Sequence, residues 1–195
     1  MEDVLFTASR LEADLLTLAG CDVRPCGIGL AAAPAGVVAQ LSGRNVCRVV
    51  FLGIAGTCDP LTHPIGTADR FHRFEIDGIG VGEGSAFRSP TDLGWAREEV
   101  DPVIGDGGPT LLTVTAASAD PRQANARRRR HPDAVAEDME SYAVAGVCRS
   151  LDIPLMMIRG FSNVAGDRNH DRWKIREALE AAVACYEIAR GDATA

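Results

Sequence analysis

The sequence holds six cysteines, Cys21, Cys26, Cys47, Cys58, Cys148 and Cys185, but no Cys-x-x-Cys pair and nothing like the density of a disulfide scaffold. That excludes a zinc ribbon and a disulfide-stapled fold, and the thiols are expected to be reduced and mostly buried. Four histidines, His63, His72, His131 and His170, are scattered; only Cys58 and His63 lie near enough in sequence to meet, so neither a metal nor a cofactor is expected. No apolar run reaches the length that crosses a membrane, and no secretory pattern stands at the amino terminus. The expectation is a cytoplasmic protein with no membrane partner. Positive charge is short as well: the formal net charge is -7 and the isoelectric point about 5.1. A nucleic-acid partner, which needs Lys and Arg against phosphates, is therefore not expected. The run Arg127 to Arg130 is the local exception and reads as a solvated helix face.

What is present suits a compact α/β enzyme. Hydrophobic residues make up 46% of the 195 and there are 20 glycines, enough for one tightly turned domain, 1–195, with no repeat or linker. Val4 to Ala8 reads as a strand. Leu11, Leu15 and Leu18 follow at helical spacing, with Gly20 as a stop. A helix is expected over Ala31 to Leu41, then a buried strand from Cys47 to Leu52. Further β-like runs are Thr67 to Ile76 and Leu111 to Thr115. A helix over Ala136 to Leu151 would turn Met139, Ala143, Val147 and Leu151 to one side. A strand over Leu155 to Ile158 comes next. The last helix would carry Ile175, Ala178, Leu179, Ala182, Val183 and Tyr186 inward.

Alternating strands and helices predict a parallel sheet whose ligands bind beyond the carboxyl ends of the strands. Three polar loops are expected there: Ser9 to Glu12, Gly53 to Thr57 and Gly160 to Asn163. Gly27 to Ala32 matches the loose dinucleotide pattern Gly-x-Gly-x-x-Ala. Pro25 weakens the strand before it, and no acid ends the next strand, so a tight turn is the better reading. The segment Glu137-Asp138-Met139-Glu140 places three carboxylates around one methionine. Such a group can complement a helix dipole, or it can hold the hydroxyl edge and apolar face of a sugar.

Asp138-Met139-Glu140, Ile158-Arg159 through Ser162-Asn163, and Gly53-Ile54-Ala55-Gly56-Thr57 together resemble the purine nucleoside phosphorylase and nucleosidase superfamily. Ser162 to Arg168, with Trp173 after it, is most similar to that superfamily's futalosine hydrolase branch, which acts in an alternative menaquinone pathway. The resemblance implies a three-layer αβα nucleoside phosphorylase/hydrolase-like fold with a central mixed, largely parallel twisted sheet. It also implies a homodimer and a small-molecule purine nucleoside substrate.

By the same resemblance, Glu12 would activate water, Glu140 would accept from the ribose 2'- and 3'-hydroxyls, and Met139 would pack under the sugar, with Asp138 beside them. Ile54, Ala55 and Gly56 would let the backbone approach the ligand. Relatives that cleave adenine nucleosides carry aspartate where this chain has Asn163. An amide can donate to N7 or O6 and accept from a ring N–H, which favours a 6-oxopurine. Arg168 is the candidate for the carboxylate of the futalosine tail. Ile54, where many relatives have Ser or Thr, argues for hydrolysis over phosphorolysis. A methylthioadenosine/S-adenosylhomocysteine nucleosidase, a phosphorylase and a non-catalytic nucleoside-binding protein remain the alternatives.

Overall fold

The computed structural model describes residues 2–82, 84–95 and 107–192, so part of the Gly- and Pro-rich stretch before Leu111 lies outside it. The described chain runs β1 (Glu2–Thr7), α1 (Arg10–Leu18), β2 (Arg24–Pro25), α2 (Gly29–Leu41), β3 (Val46–Thr57), β4 (Ala68–Phe71) and β5 (Arg73–Asp77). After a short 3-10 turn at Gly84–Ala86 come β6 (Thr110–Val114), α3 (Pro121–Arg130), β7 (Ala134–Asp138), α4 (Ser141–Ser150) and β8 (Leu155–Val164). A second 3-10 turn, His170–Arg172, leads to α5 (Ile175–Asp192).

The strands form one mixed sheet in the order β2-β1-β3-β7-β6-β5, with β8 on β3 and β4 on β8. Only the β3–β7 and β4–β8 pairings are antiparallel. Because β3 is buried on both faces from Val49 on, it reads there as a continuous apolar run to Ala55. Its alternation still sorts the layers: Val49 and Phe51 pack with α2 and α4, while Val50 and Leu52 pack with Leu16 of α1 and with Leu179, Ala182 and Tyr186 of α5.

One edge of β3 makes room for the site. From Val49 to Thr57 one edge pairs with β8, so β1 and β7 share the other. There β1 pairs as far as Phe51, and β7 begins only at Gly56. Between them, on that edge, the main chain of residues 52–55 has no neighbouring strand among the described residues.

Several expectations change. Gly53 to Thr57 and Gly160 to Asn163 are not loops but the last residues of β3 and β8, paired in parallel across a bulge at Ala55/Gly56; a glycine inside a strand marks close approach by something else. The helix expected over 136–151 is two elements. Ala134–Asp138 is strand β7, and the helix starts at Ser141 with Glu140 at its N-cap. Its buried side is Ser141, Val144, Ala145 and Cys148, and Leu151 is exposed. In α1 the inward side is Glu12, Ala13 and Leu16, while Leu11 is 59% exposed. That rotation turns a carboxylate inward in place of a leucine. The α5 stripe holds, with Ala178, Leu179, Ala182 and Tyr186 buried.

The arginine run is not wholly solvated. Arg127 is buried, donating through Nε to Asp77 at 3.1 Å and through Nη1 to Ser118 Oγ at 2.8 Å. Arg130 forks onto both Asp77 oxygens at 2.8 Å, and His131 bridges Glu75 at 2.7 Å and Asp77 at 3.3 Å. Burial alone would depress the His131 pKa, but its bonds to Asp77 and Glu75 overcome that and raise it to about 9. Burial likewise opposes ionisation of Asp77, yet the His131 and Arg130 bonds hold its carboxyl well below the usual range. The imidazolium therefore stabilises the fold fully below pH 6.5 and ceases to as pH rises through about 9. Melting temperature should fall across that window in the native protein. His131→Gln should melt lower at neutral pH and lack the fall; an identical alkaline slope in both would remove His131 as its source.

Candidate active site

The unpaired stretch of β3 floors a cavity of about 280 Å3, close to the lower end of ordinary ligand pockets at roughly 300–1,000 Å3. Into it converge Glu12 from α1, Ile54, Ala55 and Gly56 from β3, Asp138, Met139 and Glu140 from the β7–α4 junction, and Asn163 and Arg168 from β8 and the segment after it. All nine residues picked from sequence line this one cavity. Ala8, Ser9, Ile28, Ala117, Glu137, Ser162 and Trp173 complete the wall.

Glu12 is 6% exposed and sits at the third position of α1 in a capping box with Ser9. Its Oε2 accepts from the Ser9 N–H at 2.9 Å and the Ser9 hydroxyl at 2.7 Å. Its Oε1 accepts from the Ile54 N–H at 3.2 Å, on the edge that no strand covers. A carboxylate offers about four acceptor positions, so Oε1 keeps one for a ligand or water. Gly53 makes this approach possible: a Cβ there would stand 3.0 Å from Glu12 Oε1 and 3.2 Å from Arg159 Nη1.

The three carboxylates of the acidic segment differ in what they have left to offer. Asp138 is spent on the protein: it accepts from Thr113 Oγ1 at 2.8 Å, from the N–H and hydroxyl of Ser141, and from Nε and Nη2 of Arg159 at 3.1 Å each. Glu140 accepts only the Gly29 N–H, at 2.9 Å through Oε1, so its other oxygen has no donor among the described residues. Burial first, then the Asp138 charge, pushes its pKa up to about 7 against the pull of Arg159. Glu137 takes the Ser118 N–H at 2.8 Å and the Ser118 hydroxyl at 2.7 Å, with Arg127 at 3.5 Å.

Arg159, which the sequence motif contains but gives no role, is a structural centre of the site. It is 1% exposed, ion-paired with Asp138, bonded to the Phe51 and Ile158 carbonyls at 3.2 Å each, and stacked 4.3 Å above the Phe51 ring. An arginine inside an apolar strand, twenty-one residues after a buried aspartate, is the signal that could have paired them. Asn163 donates through Nδ2 to the Val164 carbonyl at 2.9 Å and to the Asp167 carbonyl at 3.4 Å, and accepts from Ser162 Oγ at 2.8 Å. Arg168 lies 4.8 Å over the Trp173 ring. The partner of Asp167 is Arg172, not Arg168, so no ion pair to that aspartate holds Arg168. His63 pairs with Asp69 at 2.6 Å, and among the described residues no three metal-ligating side chains cluster.

A carboxylate on a helix cap, a second carboxylate with an unshared oxygen beside a methionine, and a carboxamide at the end of the next strand converge on the uncovered edge of a mixed sheet. The chain belongs to the phosphorylase superfamily, whose family model matches residues 97–190. Within it, the chain is 30% identical to the futalosine hydrolase of Streptomyces coelicolor over 83% of its own length and 75% of that protein. It is 28% identical to a 5'-methylthioadenosine/S-adenosylhomocysteine nucleosidase of Psychromonas ingrahamii, over 73% of this chain and 68% of that one. In fold it matches the structure of Helicobacter pylori futalosine hydrolase with a TM-score of 0.78 at 16% identity, covering 96% of each chain.

Proposed function

We propose that the chain is a nucleosidase that hydrolyses the N-glycosidic bond of futalosine, releasing hypoxanthine and the dehypoxanthine product. The observation that carries this reading is the unequal spare capacity of the carboxylates around one cavity: a position left on Glu12 Oε1 for water, and a whole oxygen left on Glu140 for ribose hydroxyls. As the bond to the base lengthens, positive charge grows on the sugar. Glu140 and the surface of Met139 hold that sugar, and Glu12 takes the proton of the attacking water. Asn163 exchanges its long 3.4 Å bond to Asp167 for N7 or O6 of the departing 6-oxopurine. Asp138 keeps Arg159 and the start of α4 in place. Identity of 30% is shared with a futalosine hydrolase and with 5'-methylthioadenosine/S-adenosylhomocysteine nucleosidases, so the choice of futalosine rests on the amide of Asn163, which suits a 6-oxopurine.

The reading carries with it a single domain, a homodimer and a cytoplasmic place in menaquinone biosynthesis. No helix of the described residues is long and apolar enough to cross a membrane.

The deciding experiment is chromatography of free base from futalosine, inosine and methylthioadenosine, each incubated with the purified protein with and without phosphate. Phosphate-independent hypoxanthine from futalosine supports the reading. Adenine release favours the methylthioadenosine alternative, a phosphate requirement the phosphorylase, and intact substrate throughout a binding protein. Light scattering on the same preparation should return twice the chain mass.

Arg168, which among the described residues is held by its stack on Trp173, is assigned to the carboxylate of the futalosine tail. Arg168→Ala is expected to raise KM for futalosine about 10-fold or more, the scale of a lost charged hydrogen bond, with inosine turnover little changed. An unaltered KM would end the assignment.

A further inference from the structure

We propose that Glu137 determines which purine the cavity accepts, by receiving the N1–H of a 6-oxopurine base. The inference deepens the nucleosidase reading and takes from it that the ligand is a purine.

Polarity at this carboxylate is set from behind. Arg127 can only donate; its Nη1 donates to Ser118 Oγ at 2.8 Å, so the Ser118 hydroxyl proton is directed onto Glu137 Oε2 at 2.7 Å. The Ser118 N–H fills one position on Oε1 at 2.8 Å, and Arg127 reaches Oε2 at 3.5 Å. Three of about four acceptor positions are taken. The fourth, on Oε1, belongs to a side chain that lines the cavity. What this wall presents is an acceptor held in place by buried donors.

Sheet register puts that acceptor opposite the amide. Gly56 of β3 pairs with Glu137 of β7 on one edge and with Asn163 of β8 on the other. Glu137 and Asn163 therefore flank a residue with no side chain, about 10 Å apart across two strand spacings, and paired residues share a face of the sheet. A Cβ on Gly56 would stand 3.2 Å from the Ala165 backbone and 3.5 Å from Asn163 Nδ2, so the glycine lets the chain after β8 close on this strand and puts no side chain between the amide and the carboxylate. A 6-oxopurine set between them presents N7 and O6 as acceptors to the amide and N1–H as a donor to the carboxylate. Adenine keeps N7 as an acceptor but reverses the other two positions: its 6-amino group meets the amide donors in place of O6, and its N1 lone pair meets the carboxylate. Reversed polarity at buried groups is the strong form of discrimination.

The test is calorimetric binding of hypoxanthine, 1-methylhypoxanthine and adenine to the native protein and to Glu137→Gln. In the variant the amide oxygen keeps the Ser118 hydroxyl and Arg127 at the Oε2 position, and the NH2 replaces Oε1, giving up the Ser118 N–H and presenting a donor to the cavity. Native protein should bind hypoxanthine roughly 10- to 100-fold more tightly than 1-methylhypoxanthine. In the variant that ratio should collapse and adenine should gain on hypoxanthine. A methylation penalty unchanged by the substitution is steric and overturns the role, as does an unchanged adenine ratio.

Should the variant not fold, the imino proton of hypoxanthine labelled with 15N at N1 can be read on native protein. Protection from exchange supports the contact, and exchange as in the free base overturns it. Base binding needs no turnover, so discrimination at N1 without futalosine hydrolysis would sink the nucleosidase reading alone. Hydrolysis without discrimination would sink Glu137 alone.

Discussion

Glu12→Gln is expected to fold and to lose roughly 10² to 10⁴ in turnover, the usual range for a missing general base. A glutamine oxygen can still accept the Ser9 hydroxyl and N–H that close the capping box, while the NH2 replaces Oε1 and gives up the Ile54 N–H, a structural cost that the melt reads apart from the chemistry. Glu12→Ala would also lose the contact with Ser9, at about 1 kcal/mol by the scale of helix caps. Steady-state rates on futalosine beside a thermal melt make the comparison. Near-normal turnover in the glutamine variant would reduce Glu12 to a cap.

Glu140→Gln should act in opposite directions on activity and stability. One unshared oxygen of Glu140 is assigned to the ribose hydroxyls, and charge-assisted bonds of this kind are worth roughly 1.5–3 kcal/mol each. The variant should therefore lose about 10²-fold or more in kcat/KM. In the native protein kcat/KM should decline as pH drops below about 7, where burial and the Asp138 charge place the Glu140 proton.

Stability runs the other way. The folded pKa lies above the ordinary 4.5, so ionised Glu140 costs folding energy. The cost is absent below pH 4.5, grows to about pH 7 and is complete above it. A rise from 4.5 to about 7 is on the order of 3 kcal/mol. Glu140→Gln should consequently melt above the native protein at pH 8 and match it near pH 4. A variant that is less stable at pH 8 would contradict the strain assigned to Glu140.

What the sequence told reliably was type and spacing. Glu12 is marked by its resemblance to the family's water-activating glutamate, whereas the loop expected over Ser9 to Glu12 is the N-cap and first turn of α1. Met139, Glu140 and Asn163 were visible as a motif, and the final helix as a periodic stripe. Where the reading failed, local rules met tertiary ones. Ala134–Asp138 is a strand of five whose acidic end runs into a helix two residues on, so it reads as that helix's first turn. Gly53 and Gly56 read as loop residues because glycine ordinarily punctuates; here β8 supplies a continuous partner, the missing side chain of Gly53 admits Glu12 and Arg159, and that of Gly56 admits the Ala165 backbone. Four consecutive arginines look solvated on composition, but the Asp77 and Glu137 that bury Arg127 are 50 and 10 residues away. Rotation of α1 is likewise invisible locally, since Leu11 would be the better core residue if Ile54 did not offer its N–H to Glu12.

The capping box on Glu12 also gives the proposed cycle a fixed starting point. Ser9 closes the box with two donors on Oε2, and the Ile54 N–H meets Oε1 from the sheet. The carboxylate cannot take another rotamer without giving up bonds to both a helix and a strand. Each turnover therefore starts from the same geometry: the base is in place before the nucleoside arrives, and no ordering of its side chain is left for the chemical step.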